Sequence, residues 1–181
     1  MSNASFWQRL AHGIRRERAR DDWTGFAGTD WLDHIMGQSV TDRFHAKQGR
    51  STGRWILQAD GRRLAVYLKR HYRLHWWRGV LATLWPTRAW SPAWQEWDHL
   101  EWARGQGIPV PEAVAVGEYV GPWGRLQSCL AVEELEGMLP LHEAIPKASR
   151  RLTTEDFARW KRSLIGEMVR LTRELHERRW F

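Results

Sequence analysis

Two kinds of hydrophobic pattern divide the chain. From residue 40 to residue 133, apolar and polar residues alternate in short runs separated by turn residues, which predicts antiparallel strands. An Asp60–Gly61 pair between two of these runs indicates a two-residue hairpin. The predicted strands are Val40–Lys47, Arg54–Gln58, Arg63–Arg70, Ala113–Tyr119 and Leu126–Glu133.

Helical spacing appears on both sides of this region and once inside it. Ser91 and Pro92 form the cap and first turn of a helix that runs to about Arg104. Three strands, a helix, two strands and further helices in that order indicate an α+β fold. The other predicted helices are a basic amphipathic one in FWQRLAHGIRRERARDDW and three at about Trp31–Met36, Leu141–Ile145 and Thr153–Arg179.

Positive charge is concentrated in the first half of the 181 residues. The formal net charge is +7, and between Arg43 and Arg88 eleven basic residues accompany a single acidic one, Asp60. Most of the basic residues are arginine, which binds phosphate in a two-pronged way, so we expect a phosphate-bearing partner. One cysteine excludes an internal disulfide and a cysteine zinc site.

Tryptophan is unusually frequent, and six of the fourteen tryptophans lie between Trp76 and Trp97. As a helix, the first part of this segment would place tryptophan and arginine together, which suits docking at an anionic membrane surface. Alternatively, the aromatic rings fill the space between the third strand and the Ser91 helix, and we favour this packing interpretation. The apolar runs are shorter than the roughly 18 residues of a membrane-spanning helix, so we expect a soluble or peripheral protein.

Candidate chemistry centres on Lys69, which lies late in an apolar strand. Such a lysine is either an edge residue reaching for solvent or a cation held in place by a carboxylate. Glu96, near the start of the following helix, is the candidate partner, and Asp98 and Glu101 are its competitors. In QGRSTGR, a glycine-bearing tip between strands can bring backbone N–H groups close to a phosphate, but the pattern taken alone favours an ordinary solvated turn.

Four segments together resemble the lipopolysaccharide kinase family, which phosphorylates heptose or Kdo sugars of the lipopolysaccharide core. The resemblance implies a protein-kinase-like N-terminal lobe over residues 40–137, with a five-stranded antiparallel sheet and one main helix. Residues 1–39 would form a basic helical extension, and residues 138–181 the start of a helical C-terminal lobe. The segments are AKQGRSTGRW, VYLKRHY, AWQEWDHLEWARGQGIPVPEAVAVGE and EELEGMLPLHEAI.

The same resemblance assigns a nucleotide site. Lys69 would contact the α- and β-phosphates of ATP, and Glu96 would orient it. Tyr67 stands where protein kinases usually carry alanine beneath the purine, so the adenine pocket should differ in shape. The remaining expected contacts are a phosphate-covering turn with Gly49, Ser51, Thr52 and Gly53, and a hinge at Glu133–Gly137 whose backbone, with Glu133 and Leu135, would bind adenine.

The aspartates that receive the hydroxyl proton and hold Mg²⁺ in this family follow the long helix, where this sequence stops at LHERRWF. The resemblance therefore implies a truncated kinase lobe with no catalytic or metal-binding residue of its own. Its expected partners are ATP with Mg²⁺ and a lipid-linked core sugar, in the cytoplasm and in peripheral contact with the inner membrane, without nucleic acid. The alternative is a non-enzymatic, basic, tryptophan-rich module that binds anionic lipid or nucleic acid.

Overall fold

The computed structural model describes residues 5–37, 49–72 and 74–178, and the chain divides into two compact units, residues 1–134 and 135–181. The first unit contains α1 (Phe6–His12), β1 (Ile14–Ala19), α2 (Trp23–Ala27), α3 (Trp31–Gly37), β2 (Arg50–Ala59), β3 (Arg62–His71), α4 (Trp76–Leu84), α5 (Pro92–Gly105), β4 (Ala113–Val120) and β5 (Leu126–Glu133). The second unit contains α6 (Leu141–Arg151) and α7 (Thr154–Glu177).

The described strands form one antiparallel sheet of five in the order β1-β4-β5-β3-β2. β2 and β3 are joined at Asp60 and Gly61, whose φ angles of 49° and 72° are those that a tight hairpin of this kind requires. The Ser91 side chain accepts a hydrogen bond from the Trp94 N–H and caps α5, with Pro92 in the first turn. The predicted α+β sheet with one main helix is therefore confirmed.

The first strand of this sheet comes from a segment for which a helix was predicted. The amphipathic helix expected in the opening segment ends at His12, and Ile14–Ala19 pairs with β4 instead. Gly13 explains the break, because it has a φ of 75° and a Cβ placed there would lie 2.8 Å from the Val120 carbonyl oxygen. The prediction of one amphipathic helix through FWQRLAHGIRRERARDDW was therefore wrong at β1.

The strand predicted to begin at Arg54 begins at Arg50. Polar residues and glycine at 50–53 suggested a turn, but this stretch pairs with residues 68–71 of β3, so sheet pairing prevails over local preference. Among the described residues 49–54 of this segment, Gly49 alone, with a φ of 77°, keeps a turn conformation. The strand predicted at Val40–Lys47 lies outside the described residues.

Helices cover both faces of the sheet. On one face, α2 and α3 pack against the apolar side chains of β3, Leu64, Val66 and Leu68. On the other face, Trp97 and Ala93 of α5 pack against the sheet. Because side chains alternate along a strand, Ala65, Tyr67 and Lys69 share the face that α5 covers. The larger set buried beneath α5 is Ala93, Trp97, Ala113, Val116, Leu130 and Val132.

The tryptophan-rich segment is divided between core and surface. Trp97 is buried at 5% exposure, as the packing interpretation requires. The same interpretation is wrong for Trp76 and Trp77, which lie on α4, and for Trp85, since their exposures are 73%, 45% and 54%. Among the described residues, no helix is both long and apolar enough to cross a membrane.

In the second unit, α7 is the long helix that the apolar spacing predicts. The Thr153 side chain caps it by accepting from the Asp156 N–H, and the Phe157 and Trp160 rings stack with centroids 5.9 Å apart. Ile165 and Val169 are about three-fifths exposed. α6 continues past the predicted end at Ile145, through Pro146, to Arg151.

Candidate functional site

Lys69 and Glu96 form an ion pair between the sheet and α5. Lys69 lies near the end of β3 between Thr52 of β2 and Leu130 of β5, and its Nζ donates a hydrogen bond to Glu96 Oε1. The position of Glu96 follows from the helix start at Ser91, which sets the residues of the first turns that face the sheet. The contact expected between these two side chains is present.

Helix geometry excludes Asp98 and Glu101 as partners of Lys69. Residues of an α-helix are separated by about 100°, so Asp98 lies on the opposite side of α5 from Glu96, and Glu101 is turned away by about 140°. Ala93 and Trp97 mark the side that packs on the sheet. Glu96 is therefore the acidic residue of α5 that lies nearest to Lys69.

The pair is partly open to solvent. The Lys69 and Glu96 side chains are 36% and 35% exposed. A partly exposed ammonium has N–H donors that an incoming anion can reach, whereas the ion pair would have to break first if it were fully buried. This arrangement therefore suits a cation that is held by a carboxylate and still accessible to a ligand.

The surroundings of Lys69 are positive. Arg50 pairs in register with His71, two residues beyond Lys69. Burial lowers the pKa of His71, the charges of Arg50 and Lys69 lower it further, and Glu96 opposes them. His71 is therefore neutral at physiological pH, while Arg50 and Lys69 provide two cations near one end of the sheet, where they would favour a phosphate.

The predicted phosphate-covering turn is only partly brought to this place. Thr52 is directly opposite Lys69 and shares its face. Ser51 is turned to the opposite face, where it is 4% exposed and shares hydrogen bonds with Arg70 and Tyr72. Gly49 accepts a hydrogen bond from the Tyr72 N–H through its carbonyl, and Gly53 lies within β2 opposite Leu68. Of the four, Thr52 alone has a side chain on the face of Lys69.

The predicted hinge begins at the end of β5. The Glu133 N–H donates to the Glu112 carbonyl at 2.8 Å, and its carboxylate accepts from Arg20 at 2.7 Å. The Glu134 N–H donates to the Ala65 carbonyl at 2.9 Å. Both N–H groups are engaged by the protein, so an adenine ring would have to use other backbone groups. Leu135 is the first residue of the second unit, and its contact with adenine stays a prediction.

An ion pair that the sequence did not indicate lies beside Tyr67. Arg54 of β2 donates two hydrogen bonds, at 2.7 and 2.6 Å, to the carboxylate of Glu134. The Arg54 guanidinium lowers the pKa of Glu134, chiefly through this side-chain hydrogen bonding. The pair links β2 to the residue that follows β5, on the face where the half-exposed Tyr67 ring stands.

A second missed pair is deeply buried. Glu118 of β4 is 0% exposed and accepts a hydrogen bond from Arg16 of β1 at 2.7 Å. Burial is the largest influence on Glu118 and raises its pKa, while the Ser91 hydroxyl and the Arg16 guanidinium lower it. The sequence does contain a signal for this pair, because Glu118 is a charged residue among the apolar residues Val114, Val116 and Val120. Its partner Arg16 can be identified only once Ile14–Ala19 is recognised as a strand that pairs with β4.

No metal centre is found in the described ranges. Within residues 5–37, 49–72 and 74–178, no group of three or more His, Cys, Asp or Glu side chains lies close enough together to hold a metal ion. The described side chains placed beside Lys69 are those of Arg50, Thr52, His71 and Glu96, and this set with its single carboxylate is not a ligand set for Mg²⁺.

Two comparisons place the chain among known proteins. The sequence profile described as "Lipopolysaccharide kinase (Kdo/WaaP) family" matches residues 38–181. No curated protein matches the sequence. A solved structure titled "WaaP in complex with acyl carrier protein" is similar, with 22% identity and a TM-score of 0.50, over 77% of this chain and 49% of that one. The chain thus spans about half the length of that protein, and the likeness confirms the kinase-like fold.

Proposed function

The chain belongs to the lipopolysaccharide kinase (Kdo/WaaP) family, and we propose that it carries the nucleotide-binding part of an ATP-dependent sugar kinase. The reaction is phosphoryl transfer from ATP to a hydroxyl of a lipopolysaccharide core sugar, a heptose or a Kdo. The observation that supports the proposal most directly is the partly exposed Lys69–Glu96 ion pair on the face of the sheet that α5 covers.

In this proposal Lys69 binds the α- and β-phosphates of ATP. Glu96 accepts a hydrogen bond from the Lys69 ammonium and limits the directions in which the long side chain points. Arg50 adds positive charge, and the Thr52 hydroxyl faces the same space. Phosphoryl transfer depends on positioning and charge compensation, and these residues would supply the part that concerns the nucleotide.

The purine would lie nearer to Tyr67 and to the backbone that follows β5. The Arg54–Glu134 ion pair flanks Tyr67 and would form one wall of this space. Hydrogen bonds from adenine to the Glu133–Gly137 segment are part of the proposal. Mg²⁺ accompanies ATP in kinases of this type, but the described side chains do not make a site for it, so no step is assigned to the metal.

The acceptor is a sugar that is linked to lipid. Such a substrate would be met at the cytoplasmic face of the inner membrane, and the proposal therefore includes peripheral contact with that membrane. The alternative of a purely non-enzymatic basic module is less favoured, because a basic binding surface does not require a carboxylate placed against Lys69.

Calorimetric titration with ATP tests the nucleotide site. We expect Lys69→Ala to weaken ATP binding at least tenfold, since one charge-assisted contact to phosphate would be lost. Glu96→Gln should weaken binding less, because the lysine remains but is held less firmly. Arg62→Ala is the matched control, since Arg62 is an exposed cation at the other end of the same strand whose guanidinium lies over the Phe26 ring, on the opposite face from Lys69. Equal affinity of Lys69→Ala and the unmodified chain would refute the proposal.

A further inference from the structure

Three segments that are distant in sequence meet at one end of the sheet. The register pairs Ile14 with Val120 and Val120 with Leu126, so β1 and β5 begin where β4 ends. β3 also ends there, since His71 pairs with Ser128. Consequently α1, which leads into β1, α4, which follows β3, and the β4–β5 turn at 121–125 all lie at this end. We call these three segments the tryptophan end.

Direct contacts hold the three segments together. The Trp123 N–H in the turn donates to the Leu10 carbonyl of α1 at 3.0 Å. Arg9 of α1 donates from Nε to the Thr83 carbonyl of α4, also at 3.0 Å. α4 touches the turn so closely that a Cβ placed on Gly79 would lie 1.7 Å from the Gly124 carbonyl oxygen. The tryptophan end is therefore one continuous surface.

The helix α4 buries its small side chains and exposes its large apolar ones. Its buried residues are small, Gly79, Ala82 and Thr83, whereas Trp76 and Trp77 point outward. A helix that packs only against its own protein normally buries its largest apolar side chains. The large exposed apolar side chains of this end are Trp7 (72%), Trp76 (73%), Trp77 (45%), Leu84 (40%), Trp85 (54%) and Trp123 (75%).

Charge within these three segments and the residues that flank them is positive only, and the Asp33 carboxylate of α3 accepts a hydrogen bond from Tyr119 at their border. Residues 5–13, 72–95 and 119–125 contain no aspartate or glutamate. Arginine accompanies each segment, as Arg9 on α1, Arg78 and Arg88 on or after α4, and Arg125 in the turn. The Arg78 guanidinium lies over the Trp77 ring, 5.4 Å from its centre. Exposed tryptophan beside arginine, on segments that contain no carboxylate of their own, matches the interface of an anionic bilayer, where indole rings sit at headgroup depth and arginine meets lipid phosphate.

We propose that the tryptophan end docks this protein onto an anionic phospholipid surface. The inference deepens the proposed function, because a lipid-linked sugar acceptor would be met at such a surface, and it identifies the residues that make the contact. The docking residues are distinct from Lys69 and Glu96, so vesicle binding and nucleotide binding can fail separately.

Sedimentation of the full chain with lipid vesicles, in the absence of ATP, tests the proposal. We expect binding to phosphatidylcholine vesicles that contain phosphatidylglycerol, and weak binding to phosphatidylcholine alone. Trp76→Ser combined with Trp123→Ser should weaken the partition coefficient roughly tenfold or more, since both rings lose apolar burial. Arg88→Ala should weaken it about fivefold at low salt, and the effect should shrink as salt is raised.

Matched controls are available elsewhere in the first unit. Ile56→Ser changes an apolar side chain of 42% exposure on β2, and Arg63→Ala removes an exposed arginine at the opposite end of the sheet. Neither should change vesicle binding, and Lys69→Ala should retain it. The proposal is overturned if the unmodified chain does not bind anionic vesicles, or if the controls weaken binding as much as the tryptophan variants. Binding to a single-stranded oligonucleotide in place of vesicles, lost in the same tryptophan variants, would also overturn it.

Discussion

Two ion pairs stand on the same face of the sheet, and they differ in their access to water. Lys69 and Glu96 are each about one-third exposed, whereas Arg16 is 14% exposed and Glu118 is 0% exposed. They occupy neighbouring rows, because Lys69 pairs with Leu130 and Glu118 with Ser128 two residues away. Both contact α5, one through Glu96 itself and the other through the cap residue Ser91.

The difference in burial separates two tasks. An exposed pair contributes little to stability, because water screens it, but its cation can take up a new anionic partner. A buried pair is costly to break, since the remaining charge is left without water or partner. The Arg16–Glu118 pair contacts the cap residue Ser91, so we expect it to hold the start of α5 and thereby to keep Glu96 against Lys69. A structural pair supports the proposed functional pair.

The largest expected effect is the loss of the buried pair. Arg16→Met should lower the free energy of unfolding by about 3 kcal/mol, because Glu118 would stay buried without its partner. Denaturant unfolding followed by circular dichroism measures this change. Arg15→Met is the matched control, since Arg15 neighbours Arg16 on β1 but pairs with Glu17 and Asp33 at the surface. An equal loss of stability in the two variants would contradict the claim that the buried Arg16 pair stabilises the protein more than the exposed Arg15 pairs.

A smaller effect concerns pH and the same carboxyl group. Because burial raises the pKa of Glu118 above its ordinary value of 4.5, the unmodified protein gains stability from the protonated form at low pH and loses it as pH rises through the raised pKa. Glu118→Gln cannot ionise and should not show this loss. The stability of the unmodified chain relative to the variant should therefore fall as pH rises from 4.5, measured by unfolding at a series of pH values. A relative stability that rises with pH would show that Arg16 outweighs burial.

Removal of the cap should have an effect of about 1 kcal/mol. Ser91→Ala deletes the acceptor of the Trp94 N–H and also a neighbour of Glu118. We expect a loss of thermal stability together with weaker ATP binding, because the start of α5 positions Glu96. Thr153→Ala is the control, since it removes the same kind of cap from α7 in the second unit. If Ser91→Ala leaves ATP affinity unchanged, the link between the cap and the nucleotide site is wrong.

The smallest effect on stability is expected at the exposed pair. Lys69→Met should change the free energy of unfolding by less than about 1 kcal/mol, because solvent screens a pair of this exposure. A double-mutant cycle with Glu96→Gln should give a small coupling energy, in contrast to the cycle for Arg16 and Glu118. Coupling of several kcal/mol at Lys69 would show that the pair is structural and would weaken the nucleotide proposal.

Short sequence patterns predicted the structure correctly where the conformation depends only on neighbouring residues. The Asp60–Gly61 hairpin and the Ser91–Pro92 helix start were predictable because positive φ and capping are properties of a few adjacent residues. The Lys69–Glu96 contact was also expected, and its role in binding ATP stays a prediction. Ser51 shows the limit of local signals. A shift of one residue in the pairing of β2 with β3 would move its side chain to the other face of the sheet, and only the tertiary structure sets this register.

The sequence by itself determined the order β2, β3, α5, β4 and β5, the α+β class and the concentration of arginine and tryptophan, because these depend on residues that are close along the chain. Only the tertiary structure decided that Ile14–Ala19 joins the sheet, that Arg16 and Glu118 are buried together, and that Trp7, Trp76 and Trp123 share one end. The physical reason is that these contacts join residues far apart along the chain, such as Arg9 with Thr83 at a separation of 74 and Arg16 with Glu118 at a separation of 102, which no local pattern encodes.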